Sequence, residues 1–210
     1  MAVRKSAAKK TKRVKRSGGT KEEILDRARD LYLEHGATGI SMRRIAAEVG
    51  VTPMAIYRHF ENKEALQREL LARGFQTFGT YLQPALEGKD PRERLRLTAE
   101  GYLNFALEQS KYFELIFLSI DPLNDRKLSE VIREQSLPTF QFLVDRVREC
   151  IKAGIFKKDR PASIALSLLA QCTGLCALYL SGSFQWSEED MMREFRASLR
   201  RTFAGYLVEP

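Results

Sequence analysis

Tyr57, Arg58, His59 and Lys63 bring a phenol, a guanidinium, an imidazole and an amine close together, with apolar Ile56 and Phe60 among them. At about 100° per helical residue, Ile56 and Phe60 share one face, Met54 and Arg58 lie nearly opposite, and Tyr57 and His59 fall on the two flanks. Flanking donors of this kind can reach phosphates while outward groups face base edges, so the chemistry is recognition of a polyanion rather than bond breaking. Catalysis has little material here. The two histidines, His35 and His59, both lie in the N-terminal part, no Gly-rich phosphate loop precedes a strand, and no Ser-His-Asp set stands out. No catalytic residue, metal ligand or cofactor is expected. Cys172 and Cys176 are four apart, with Cys150 remote, and read as free core thiols that fit a reducing cytoplasm.

A recognition helix needs neighbours to hold it, and the surrounding sequence supplies them. Thr20 and Glu23 form a capping box for a helix carrying Ile24, Leu25, Ala28, Leu31 and Tyr32 on one face, with Gly36 as its stop. Ser41 caps a second helix that ends at Gly50, and Thr52 caps a third with Pro53 at its first position. Ala46 is small where two helices would cross, and Ile45, Val49, Val51 and Ile56 make a miniature core. Asn62 caps a fourth helix running to about Leu82.

Further on, Asp90 with Pro91 and Glu93 opens a helix to about Gln109, and the run from Lys111 to Ser119 reads as a short apolar helix. A turn at Asp121, Pro122 and Asn124 precedes a helical pattern from Ser129 to Ala153, where Pro138 should kink or divide it. A charge-free helix after Pro161 and a last one capped by Ser187 complete an all-α fold of about nine helices, with no alternating strand pattern in competition.

The formal charge of +8 is unevenly distributed. Residues 1–20 hold eight of the 35 basic residues and no acid, leaving 27 bases against 27 acids elsewhere. Such a tail, spanning 1–19, is expected to be disordered when free and attracted to polyanions. No apolar run follows it, so it does not read as a secretory signal. The uncharged stretch 161–187 is long enough to span a bilayer, yet Ser163, Ser167, Gln171 and Thr173 interrupt it. Its small residues Ala170, Gly174, Ala177 and Ser181 recur at helical spacing, so a buried helix or a subunit contact is expected instead of a membrane span.

Over residues 20 to 66 the chain resembles the DNA-binding domain of the tetracycline-repressor (TetR) family of bacterial transcription regulators. The resemblance is carried by Gly50-Val51, the run Ile56-Tyr57-Arg58-His59-Phe60, Lys63-Glu64 and Leu66. It implies phosphate contacts from Tyr57, His59, Lys63 and Ser41, and an approach to DNA from Arg43. Thr52, Pro53, Met54 and Arg58 match the variable positions from which members of the family read sequence. Proline and methionine make no bidentate base contacts, so direct readout would rest on Arg43 or Arg58. Arg44 reads as a solvated or ion-paired residue, and His35 as a cation at a helix end.

The resemblance further implies a ligand-binding and dimerisation domain over 67–210 and a cytoplasmic, nucleoid-associated homodimer on a palindromic double-stranded operator. A repressor controlled by a small apolar or aromatic effector is expected; the alternative is a nonspecific nucleic-acid binder driven by the basic tail. Candidate effector contacts are Phe78, Tyr102, Phe105, Phe117 and Phe142, with Gln171 and Cys172 as polar lining. The stripe Ala170, Gly174, Ala177, Ser181 and the face Met192, Phe195, Leu199, Phe203 are the expected dimer surface.

Overall fold

Local capping chemistry sets nearly every helix boundary. The computed structural model describes residues 21–118 and 126–208; the basic tail, the Thr20 cap and the turn at Asp121, Pro122 and Asn124 lie outside the described residues. Helix α1 (Lys21–Gly39) is interrupted at Gly36, where φ is 68° and regular helix geometry is lost. Helix α2 (Met42–Val49) starts at Ser41, whose hydroxyl accepts from the Arg44 N–H at 3.1 Å. It stops at Gly50, which at φ 79° lies in the left-handed region and donates its N–H to the Ala46 carbonyl at 2.9 Å. A side chain there costs about 1–2 kcal/mol, so glycine allows the tight turn into α3.

Helix α3 (Pro53–Tyr57) is capped by Thr52, and α4 (Lys63–Leu82) by Asn62, whose side chain accepts from the Ala65 N–H at 2.8 Å. Ile24, Ala28, Leu31, Ile45, Ile56 and Leu66 are all buried where α1, α2, α3 and α4 meet. Burying each such aliphatic side chain contributes about 1.5–3 kcal/mol.

A short 3-10 turn (Gln83–Glu87) leads into α5 (Pro91–Glu108), capped by Asp90. Helix α6 (Ser110–Phe113) runs on into a π turn over Glu114–Leu118. Helix α7 (Arg126–Lys152) passes through Pro138 without being divided. Glu134 and Pro138 are exposed, so water can satisfy the carbonyl that the proline leaves unbonded. Helices α8 (Pro161–Leu180) and α9 (Glu188–Tyr206) follow, the latter with the full Ser187–Asp190 capping box.

The fold is all-α: α4, α5 and α7 pack on one another, α8 lies along α7 and α5, and α9 lies on α8. By length and composition α8 could cross a membrane, but its Ile164, Leu168, Cys172 and Cys176 are buried against the rest of the chain. One antiparallel bridge joins Phe156 and Leu207, with the Lys157 N–H donating to the Tyr206 carbonyl at 2.8 Å.

Helices α4 and α5 approach closely at Gly101, where a Cβ would sit 2.1 Å from the Tyr81 carbonyl oxygen. Gly101→Ala is therefore expected to lower stability by about 1–3 kcal/mol or more in urea unfolding. Gly79→Ala, on α4 with nothing within 4 Å of the added carbon, should leave stability unchanged or raise it by about 0.5–1 kcal/mol.

Candidate nucleic-acid interface and effector cavity

Ile56 and Phe60, at 0% and 3% exposure, anchor α3 to the core, while Met54 and Tyr57 stand 68% and 50% exposed. Thr52, Pro53, Arg58 and His59 are exposed as well, so one surface carries every candidate from the third helix. The helix is shorter than its pattern suggests. It ends at Tyr57, Arg58 caps it with αR geometry, and the N–H groups of His59 and Phe60 both donate to the Ile56 carbonyl. Ser41 and Arg43 lie exposed at the start of α2, and Lys63 is half-buried at the first turn of α4. The hydroxyls of Ser41 and Thr52 already accept from backbone N–H groups, which fixes their position and leaves each hydroxyl proton to donate.

Arg44 approaches Nε2 of His35. The same ring nitrogen lies 3.5 Å from the Glu34 carboxylate. Arg27 on α1 clamps Glu48 on α2, donating from Nε at 3.1 Å. This hydrogen bond, together with its charge, holds the Glu48 carboxyl below the usual carboxylate range.

In the C-terminal half, a cavity of about 290 Å³ opens between α4, α5, α7, α8 and α9. Phe78, Tyr102, Phe117 and Cys172 line it. Three expected lining residues lie elsewhere. Phe105 is fully buried in the aromatic cluster, its ring 5.0 Å from that of Phe78. Phe142 lies under the Arg146 guanidinium at 4.8 Å, and Gln171 turns to α9, donating to the Ser198 hydroxyl at 2.6 Å.

The sequence reading missed Leu137, Thr139, Phe140 and Leu143, which bring α7 to the cavity. Leu137, Phe140 and Leu143 recur every three residues on one helix face, so helical phase favours Phe140 over Phe142. The Tyr102 hydroxyl meets that of Thr173 at 2.7 Å, and burial pushes the phenol well above its ordinary range despite that bond. Burial likewise raises the Cys172 thiol to about 12 and Cys150 to about 11, so neither is a thiolate nucleophile at neutral pH. Among the described residues, no group of three or more His, Cys, Asp or Glu side chains is placed to hold a metal ion.

Of the expected dimer surface, Ala170, Gly174 and Ser181 are exposed on α8, and Ala177, Met192 and Phe203 are half-buried. Phe195 and Leu199 are different. At 1% and 6% exposure they are buried within the chain itself, in the wall between α9 and the helices beneath it, and leave no surface for a second copy. Leu166 and Leu178, 60% and 42% exposed, extend the α8 face instead.

The N-terminal helices α1–α3 join the rest of the chain through α4 and through a polar junction between α1 and α6. There Asp30 accepts from Lys111 at 3.0 Å and from Arg29 at 3.0 Å, and Arg29 also lies 4.8 Å over the Tyr112 ring. Burial alone would raise the Asp30 carboxyl, but the bonds from Lys111 and Arg29 outweigh it and leave the group below its ordinary value.

Residues 24–70 match the family of bacterial regulatory proteins, tetR family, and residues 95–202 match the tetracyclin repressor-like C-terminal domain. The chain belongs to the TetR family: it is a helix-turn-helix, DNA-binding transcriptional regulator. It is 25% identical over 194 residues to the uncharacterized HTH-type transcriptional regulator YobS of Bacillus subtilis (strain 168), covering 92% of this chain and 95% of that protein. Over 79 residues, 37% of this chain and 38% of the relative, it is 37% identical to the HTH-type transcriptional repressor KstR2 of Rhodococcus jostii (strain RHA1). Among solved structures, the regulator FadR of Bacillus subtilis in complex with stearoyl-CoA shares the fold at a TM-score of 0.76 and 17% identity, over 89% of this chain and 99% of that one. These relatives are transcriptional regulators, not enzymes.

The Asp30 junction has a pH signature. A carboxyl whose folded-state pKa is depressed contributes stability that is complete above its unfolded value, about 3.9, and is lost as pH falls through the lowered folded value. Asp30→Asn should therefore cost about 1 kcal/mol at pH 7, with the deficit shrinking as pH falls below about 4. Urea midpoints of both proteins from pH 7 to pH 3 measure this.

Proposed function

We propose that this chain is a repressor that binds a palindromic operator as a homodimer and is controlled by an apolar or aromatic effector in the cavity beneath Phe78. The reading divides the chain at the start of α4: a basic tail over 1–19, a DNA-binding unit over 20–66, and an effector-binding and dimerisation unit over 67–210. The observation that carries it is the display around α3, where buried Ile56 and Phe60 fix a helix whose Pro53, Met54 and Tyr57 face solvent.

In this reading Tyr57, His59, Lys63 and Ser41 grip phosphates, while Thr52, Pro53, Met54 and Arg58, with Arg43 from α2, meet the bases. Phe78, Tyr102, Phe117 and Cys172, joined by Phe140 and Leu143, contact the effector; the largely apolar lining and the stearoyl-CoA carried by FadR both support an apolar occupant. The dimer forms along the charge-free outer face of α8, through Leu166, Ala170, Gly174, Leu178 and Ser181, with Met192 and Phe203 at its edge. An uncharged face of this length, left open in one chain, supports a copy of the same helix as its cover.

On the operator, for roughly eight phosphate contacts per dimer, the log–log salt slope should be about −7. Tyr57→Ala should weaken binding to operator and random duplex alike, whereas Arg58→Ala should mainly lower the preference between them, by about 1–3 kcal/mol. Fluorescence anisotropy over a salt series reads both; equal effects of the two substitutions would refute this division. Removing residues 1–16 should lower affinity yet keep the operator preference.

Gly174 is exposed and has nothing within 4 Å of an added Cβ, so Gly174→Trp can extend its ring into solvent on the single chain. It should shift sedimentation equilibrium towards monomer with an unchanged circular dichroism spectrum. An unaltered dimer would rule out the α8 face as the interface.

A further inference from the structure

A second cavity, of about 450 Å³, lies between α5, α9 and the bridged segment at Phe156 and Leu207. Its floor is apolar, with Leu95, Phe156, Leu199, Phe203 and Leu207. Its rim holds four guanidinium groups, from Arg92 and Arg96 on α5 and Arg196 and Arg200 on α9, against a single carboxylate, Glu100. Glu100 is already engaged: it accepts from Arg96 at 2.8 Å and lies 3.8 Å from Arg196. Among the described residues Arg92 and Arg200 have no ion-pair partner. The rim thus carries a clear excess of positive charge over a greasy floor.

Arg196 and Arg200 also lie on the flank of α9 away from α8. Ser198, which bonds Gln171 of α8, is two residues from each and so about 200° around the helix. The site therefore does not coincide with the outer face of α8.

We propose that this second cavity binds an amphiphile with an anionic head, a carboxylate or a phosphate, its head held by Arg92 and Arg200 and its alkyl chain lying on Leu95, Phe156 and Phe203. Guanidinium forks match both kinds of head bidentately, and an uncharged chain alone would leave the rim unused. A purely polar anion would bury none of the floor, and a neutral lipid none of the charge. Leu95, Ala99, Leu199 and Phe203 also line the first cavity, so the two share a wall. This inference is independent of what fills the cavity beneath Phe78.

Isothermal titration calorimetry on the full chain with decanoate, decyl phosphate and decan-1-ol tests it. Both anions should bind at least about tenfold more tightly than the alcohol, and the double variant Arg92→Gln/Arg200→Gln should remove that preference while leaving the melting temperature unchanged, since both side chains are exposed. The stronger of the two anions then identifies a carboxylate-headed or a phosphate-headed source. Thr139→Trp, which fills only the first cavity, should leave anion binding intact. An anion preference that survives the double arginine variant, no preference at all, or binding lost in Thr139→Trp would each overturn the proposal. None of these outcomes bears on whether the first cavity takes an apolar effector.

Discussion

Burial of Ile56 and Phe60 is the constraint on which the DNA-facing surface depends. Helix α3 is a little over one turn long, too short to be stable by its own hydrogen bonds, because helix nucleation is unfavourable and few bonds follow it. It exists because two caps and two buried side chains hold it against α2 and the core beneath. Everything that faces outward from it inherits its position from that inward contact. The outward-facing residues of α3 keep their places only while the anchoring pair is retained.

The same logic links the two halves of the molecule. Helix α4 carries Lys63 beside α3 at one end and Phe78 and Leu82 in the cavity wall at the other, so one rigid element joins the two regions. The α1–α6 junction through Asp30, Lys111 and Tyr112 supplies a second, polar connection. Its ion pair is partly shielded, which makes it directional but modest in energy beside the packing along α4.

Much of this was legible in the sequence, because caps and helical phase are local. Ser41, Thr52, Asn62, Asp90 and Ser187 each cap the helix their type and position announce, and Gly36 and Gly50 mark the breaks. What escaped was tertiary. Periodicity says that Phe195 and Leu199 lie on an apolar face, but not whether a helix of the same chain or a second copy covers it; here the chain covers it itself. Aromatic type likewise placed Phe105 and Phe142 near the cavity, although their phases on α5 and α7 direct them to the core and to Arg146. The arginine-rimmed cavity was invisible, since Arg92 and Arg200 are remote in sequence and meet only through the fold.

The length of α4 turns it into a lever arm. The fifteen residues from Phe78 back to Lys63 span about 22 Å at 1.5 Å each, so a tilt of roughly 5° about Phe78 moves the Lys63 end by roughly 2 Å. A hydrogen bond to a phosphate tolerates only a few tenths of an ångström before it weakens. Helix α4 thus turns a small tilt at its Phe78 end into a displacement, at its Lys63 end, larger than such a bond tolerates.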